Sequence, residues 1–215
     1  MRKSPRDRRL EADFEAITKL QSESSILTFE ASGNPPQRYR MIFHGLGFAR
    51  NAKSGEVVIQ DEHHVLIELG AAYPRLVPNL GWQTPVFHPN ISNNGVVCLG
   101  GYGTHWVPSL TLDEMATMLW DMIRYKNFDT ESPYNRDAAL WAKMQTDYKL
   151  PVDVRSIRDK IASPNFRLSN ATDAADTVEA ELVDPVNEVI DSGIEIIETP
   201  KRAKPPADDG IVFLD

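Results

Sequence analysis

The chain has one cysteine, Cys98, in 215 residues. An internal disulfide and a CxxC pair are therefore excluded, and thiolate zinc sites with them. Long apolar runs are missing too: no uninterrupted stretch is long enough to span a bilayer, and the basic opening MRKSPRDRRLEADFEAITKL is not followed by the apolar segment of a secretory signal. These absences predict a soluble, cytoplasmic protein in a reducing compartment. A positive excess is also lacking. The formal charge is −8, whereas a nucleic-acid surface needs a basic patch, so nucleic acid is not an expected partner and neither is a membrane.

What is present divides the chain in two. Residues 163–215 hold twelve acidic and four basic residues, and residues 1–162 are balanced at nineteen of each. The acidic part is poor in aromatics and broken by Pro164, Pro185, Pro200, Pro205 and Pro206. Such a composition buries too little apolar surface to offset the entropy of ordering. The reading is a core over 1–162 and a largely disordered acidic tail over 163–215. Two β-branched or aromatic runs interrupt that tail, Ile194–Glu198 and Ile211–Asp215, with Ile196, Ile197, Val212 and Phe213 as candidate partner-binding residues. Docking of either run on the protein's own sheet is the competing reading.

The core has the periodicities of an α+β domain. Leu10, Phe14, Ile17 and Leu20 recur at helical spacing and predict an opening helix with Arg6, Arg8 and Arg9 near its start. The period then shortens. Runs at 26–30, 39–44 and 64–69, separated by turn residues such as Gly33–Pro36 and Gly55, predict three strands of an antiparallel meander. Residues 70–110 carry five prolines and six glycines and read as irregular chain. Helix returns at Thr111, where Thr111-Leu-Asp-Glu114 is a capping box followed by Met115, Met118, Leu119, Met122 and Ile123. A further helix is expected over 136–148 with Leu140, Met144 and Tyr148 inward, and a last one through Val154, Ile157 and Ile161.

Tyr73-Pro74, His88-Pro89-Asn90, Asn94-Gly95, Cys98-Leu99, Trp106 and Pro108 follow one another in an order and spacing that resembles the ubiquitin-conjugating enzyme family. Several elements in one order are far more specific than a single tripeptide. The resemblance covers about residues 5–162. It implies that family's fold: an N-terminal helix, a meander, a cysteine-bearing loop and C-terminal helices. It also implies that Cys98 carries a ubiquitin-like modifier as a thioester received from an activating enzyme, and passes it to an amine of a protein substrate, with or without a ligase. No cofactor is implied, because ATP is used by the activating enzyme. By the same resemblance Asn90 is the amide donor to the oxyanion of the thioester attack. Ser132, in the Asn127–Pro133 loop, is the residue that orients the incoming lysine, with Asp129 or Glu131 as carboxylates that share the role. Arg6, Arg8 and Arg9 form the edge on which the activating enzyme docks.

Each assignment has a plainer competitor in the residues themselves. Cys98 between valines and glycines also fits a buried filler, although a thiol is a strong nucleophile without a dedicated triad. Asn90 also fits a loop pin that bonds nearby backbone. Ser132 or Asn135 also fits an N-cap of the following helix, and the arginines a solvated helix face. The family's acid two residues after the cysteine is replaced here by Gly100. His88 is read as structural, Trp106 and Pro108 as packing residues. A cysteine protease is disfavoured because no separate general base stands out. Gly100–Gly103 lacks the lysine of a phosphate loop. His63-His64 places its rings on opposite strand faces, which argues against a shared metal and for solvation at a strand end. The alternative of another class is a modifier-binding module of the same fold, or a scaffold acting through its tail. Variants of that fold that only bind lack the cysteine this chain has.

Overall fold

The computed structural model describes residues 3–99 and 106–162. The opening helix α1 spans Pro5–Ser22. Ser4 caps it: its side chain accepts from Asp7 N–H, the Asp7 carboxylate returns a bond to Ser4 N–H, and Pro5 occupies the first turn, where a missing N–H costs nothing. Four strands follow, β1 (Leu27–Gly33), β2 (Pro36–Arg50), β3 (Val57–Glu68) and β4 (Asn79–Trp82), paired antiparallel in the order β1-β2-β3-β4. Helices α2 (Leu112–Ile123), α3 (Arg136–Met144) and the short α4 (Asp159–Ala162) complete the fold. Among the described residues no helix is long and apolar enough to cross a membrane, and no group of three or more His, Cys, Asp or Glu side chains is placed to hold a metal ion.

The meander is confirmed and extended by one strand. β4 pairs Asn79–Trp82 with Glu68–Val65 inside the stretch expected to be irregular. Its four residues include Gly81, and Pro74 and Pro78 precede it, so the pairing is fixed by the neighbouring strand and not by local propensity. Tyr39, Met41, Phe43, Val65 and Ile67 are fully buried and lie on one sheet face, with Tyr39 opposite Ile67 and Met41 opposite Val65. Leu10, Ile17 and Leu20 of α1 and Leu112, Met115, Leu119 and Trp120 of α2 join the same core. Trp120 stacks on Phe43 with 6.5 Å between ring centroids.

A bulge between His44 and Gly47 shifts the register of β2 and brings Phe48 into a second cluster with Phe87, Tyr125 and Ala138. His63 is fully buried here, under Gly47, where a Cβ would come within 2.7 Å of the imidazole. His64 turns the other way and bonds Glu62 at 2.9 Å. The expected opposite faces are therefore found. The expected solvation at a strand end is not, because β3 begins at Val57 and His63 lies in mid-strand.

Three helix details are corrected. The stripe of α1 buries Asp13 in place of Phe14, which is exposed and sets its ring edge against Phe29. α3 ends at Met144 and turns Ala138, Ala139 and Trp141 inward; Leu140 and Met144 are 60% and 70% exposed. Small alanines let the helix approach closely, and the indole fills the space. In the last segment Ile157 is buried while Val154 and Ile161 are exposed.

Asp13 is fully buried and yet satisfied. Its carboxylate accepts from Arg9 Nε at 2.8 Å, Tyr73 O–H at 2.6 Å and Leu112 N–H at 3.1 Å. Arg9 also donates to the Tyr73 hydroxyl and to the Pro108 and Leu110 carbonyls. One carboxylate thus ties α1 to the Tyr73 loop and to the start of α2. Asp13→Ala should cost about 3–5 kcal/mol in urea unfolding, the range for leaving buried charged partners unpaired; a loss under about 1 kcal/mol would contradict this role.

Candidate functional site

The site grows from the turn that follows β4. Ser92 to Gly95 reverse the chain, with Gly95 N–H on Ser92 O and Ser92 N–H on Val96 O, both at 2.9 Å. Gly95 has φ +77°, and a Cβ there would lie 2.3 Å from the Trp82 carbonyl, so only glycine fits. The returning strand pairs Ile91 with Val97 and brings Cys98 beside Asn90, whose carbonyl accepts from Cys98 N–H at 2.9 Å. Cys98 is half-buried and unbridged. It lines a cavity of about 470 Å³ whose walls include Val97, Leu99, Trp106 and Tyr134.

His88 stands behind this turn. Its Nδ1 accepts from Asn90 N–H at 3.1 Å, which places the proton of the neutral ring on Nε2. Burial pushes its pKa down to about 3. The structural reading of His88 is the one observed. Trp106 donates to Pro74 O at 2.7 Å and lies against Tyr73, and the Pro108 carbonyl accepts from Arg9, so both belong to the packing of that edge.

Residues 127–135 are fastened to the His88–Asn90 turn at several points. The Asn90 carboxamide donates to Asp129 O at 3.0 Å and accepts from Asp129 N–H at 2.7 Å. Pro89 O accepts from Tyr134 N–H and Asn135 N–H at 2.8 and 2.9 Å. Asn135 donates to Asn93 at 3.0 Å and caps α3 through Ala138 N–H. Asn90 is therefore a loop pin in this conformation, with one of its two Nδ2 hydrogens spent on Asp129. The helix cap is Asn135, which leaves Ser132 exposed and without a hydrogen-bond partner among the described residues. The Asp129 carboxylate accepts from Glu131 N–H at 2.7 Å, closing a local turn. Glu131 accepts from Lys143 at 2.8 Å, and that ammonium lowers the Glu131 pKa.

Tyr134 was not singled out in the sequence, where it follows Pro133 without any motif of its own. It lines the same cavity as Cys98, and proximity to the sulfur raises the Tyr134 pKa. Proximity to Cys98 depends on the Pro89 anchor, so no local signal announces it.

The basic edge is only partly a surface. Arg6 donates to Gln37 and to the Leu69 and Gly70 carbonyls, and Arg9 is committed to Asp13, Tyr73 and the start of α2. Arg8 is exposed. The tail candidates Ile196, Ile197, Val212 and Phe213, and the Gly100–Gly103 segment, lie outside the described residues.

Residues 57–155 match the ubiquitin-conjugating enzyme family, from β3 through Arg155 and hence across the whole site. The curated relative ubiquitin-conjugating enzyme E2 16 of Schizosaccharomyces pombe is 38% identical over 74 residues, 34% of this chain and 45% of the relative, so the chain aligns with less than half of that protein. The solved structure of S. cerevisiae Ubc12 superposes with a TM-score of 0.52 at 20% identity, covering 68% of this chain and 75% of that one, a likeness of fold.

With His88 and His63 both neutral inside the fold, stability should depend on pH. Burial lowers their pKa to about 3 and about 4, below the ordinary histidine value of about 6.5. The unfolded chain then binds more protons, so the stabilisation is complete above about pH 6.5 and is lost as pH falls. Urea unfolding at pH 7, 6 and 5 should show a slope approaching about 1.4 kcal/mol per pH unit for each ring; a flat profile would contradict burial of the neutral forms.

Proposed function

We propose that this chain, whose residues 57–155 match the ubiquitin-conjugating enzyme family, works as that family does: Cys98 receives a ubiquitin-like modifier from an activating enzyme as a thioester and delivers it to an amine, lysine above all. The observation that carries this reading is the seating of the chain's one thiol at the junction of the His88–Asn90 turn and the 127–135 loop. In charging, the Cys98 sulfur attacks the thioester carbonyl on the activating enzyme; the new C–S bond forms and the donor sulfur leaves as a thiolate. In discharge, the amine attacks the Cys98 thioester, a C–N bond replaces the C–S bond, and the amine's surplus proton goes to solvent.

Residue roles follow from what each group has free. The second Nδ2 hydrogen of Asn90 is the donor for the oxyanion, while the same carboxamide holds the loop, so pinning and catalysis are compatible. The exposed hydroxyl of Ser132 orients the acceptor amine. The Asp129 carboxylate, closing its turn on Glu131, keeps lone pairs for the same ammonium. Arg8 serves as the cation of the activating-enzyme surface, with Arg6 and Arg9 shaping the edge from within. The acidic tail, through Ile196, Ile197, Val212 and Phe213, contacts a modifier or partner by strand addition. A ligase and a cytoplasmic location complete the picture.

Incubation with activating enzyme, modifier and ATP should give a reducible adduct that Cys98→Ala abolishes; an adduct persisting in that variant would overturn the assignment and favour a modifier-binding module. Asn90→Ala should still charge but transfer to lysine about 10²–10³-fold more slowly, the range for one lost oxyanion donor. Equal loss in both steps would reduce Asn90 to its loop-pinning role.

A further inference from the structure

Resting on the reading of Cys98 as the acyl carrier and Asn90 as the oxyanion donor, we propose that Tyr125 is a positioning residue for that reaction: its phenol, at the end of α2, supports the His88–Asn90 turn and so aims the Asn90 carboxamide.

The backbone gives the first indication. α2 closes with Arg124 N–H on Trp120 O, Tyr125 N–H on Met122 O, and Lys126 N–H and Asn127 N–H both on Asp121 O. A helix that ends in this way ordinarily has glycine in the left-handed position. Here Tyr125 occupies it, at φ +58°, and among the described residues no other residue except glycine has a positive φ. A bulky side chain is strained there, and such a conformation persists only where side-chain contacts over-determine it.

Those contacts lead to the site. The Tyr125 side chain is buried, and its O–H donates to Phe87 O at 2.5 Å. Burial raises its pKa, so the proton stays on the phenol throughout the neutral range. Phe87 N–H is bonded in turn to Phe48 O at 2.8 Å, so the residue that leads into the turn is held at both its peptide groups. The Tyr125 ring also meets the His88 imidazole, with 4.8 Å between centroids and 70° between planes, and His88 Nδ1 accepts from Asn90 N–H at 3.1 Å. A phenylalanine ring would fill the same space in the aromatic cluster, so packing does not account for the hydroxyl.

The same residue sets the other side of the Asn90 pairing. Its left-handed conformation directs the chain out of α2 into residues 127–135, where Asp129 C=O and N–H bond the Asn90 carboxamide at 3.0 and 2.7 Å. Turn and loop are thus both fixed on Tyr125, one through its side chain and the other through its backbone. The Nδ2 hydrogen of Asn90 that faces the oxyanion is aimed by these two supports together. A displacement of about 1 Å at a reacting group can cost about 10²-fold in rate, so slack at Phe87 is felt in transfer to the amine.

Tyr125→Phe in the full chain removes the hydroxyl and keeps the ring. Amide hydrogen exchange, which needs neither modifier nor activating enzyme, should quicken about tenfold at Asn90, Cys98 and Asp129 and distinctly less across the β1–β2 pairs. Single-turnover discharge of the preformed Cys98 thioester to free lysine should slow about three- to thirtyfold, less than for loss of the donor itself. In the Asn90→Ala background the same substitution should slow discharge by less than about twofold more, because a residue that acts through another is not additive with it. Exchange quickened equally throughout the sheet, or the full slowing repeated in the Asn90→Ala background, would overturn the positioning role and leave Tyr125 a packing residue. Unchanged exchange at the three amides would overturn it as well. If the wild-type chain forms no thioester while the local exchange still quickens in Tyr125→Phe, the conjugating reading fails and the support of the turn stands. If thioesters form and discharge alike in both proteins, the positioning role fails and the conjugating reading stands.

Discussion

Everything at the site depends on the backbone and carboxamide of two residues, Pro89 and Asn90. Their carbonyls accept from Tyr134, Asn135 and Cys98, and the Asn90 side chain bonds both the N–H and the C=O of Asp129. Three segments distant in sequence meet there: the turn itself, the returning strand with the thiol, and the loop before α3. Buried amide pairs of this kind are individually modest but expensive to leave unmade. Removing one partner would strand several donors at once, so the geometry around Cys98 is held as a unit.

A second node sets where that unit sits. The buried Asp13 carboxylate binds α1 to Tyr73 and to the first residue of α2, and Arg9 extends the tie to the carbonyls of Pro108 and Leu110. Charged groups read from sequence as a docking edge are here divided between structure and surface. Arg9 is enclosed by carboxylate, phenol and two carbonyls, and Arg8, one residue earlier, faces solvent because a helix turns about 100° per residue. Neighbouring arginines of one run can therefore have unlike roles.

Several features were legible in the sequence because they obey short-range rules. The capping box at Thr111, the alternation of Tyr39, Met41 and Phe43, and the turn around Gly33 each reflect local periodicity or local hydrogen bonding. Features that failed were those decided by partners. β4 exists because β3 offers an edge to pair with. α3 turns alanines and Trp141 inward, contrary to the pattern of Leu140 and Met144, because the aromatic cluster of Phe48, Phe87 and Tyr125 has room for an indole and close backbone approach.

By itself, the sequence determined the α+β class, the helical and strand periods of the core, and a motif order that resembles the family matched by residues 57–155, since these depend on residue identity and spacing along the chain. Only the tertiary structure decided that Asn135 and not Ser132 caps α3, that His63 lies buried under a bulge, that Asp13 is a core residue, and that Tyr134 shares a cavity with Cys98. Each of these depends on contacts between residues far apart in sequence. A side chain's chemistry is written in its name, but its burial and its partners are set by the segments that fold against it.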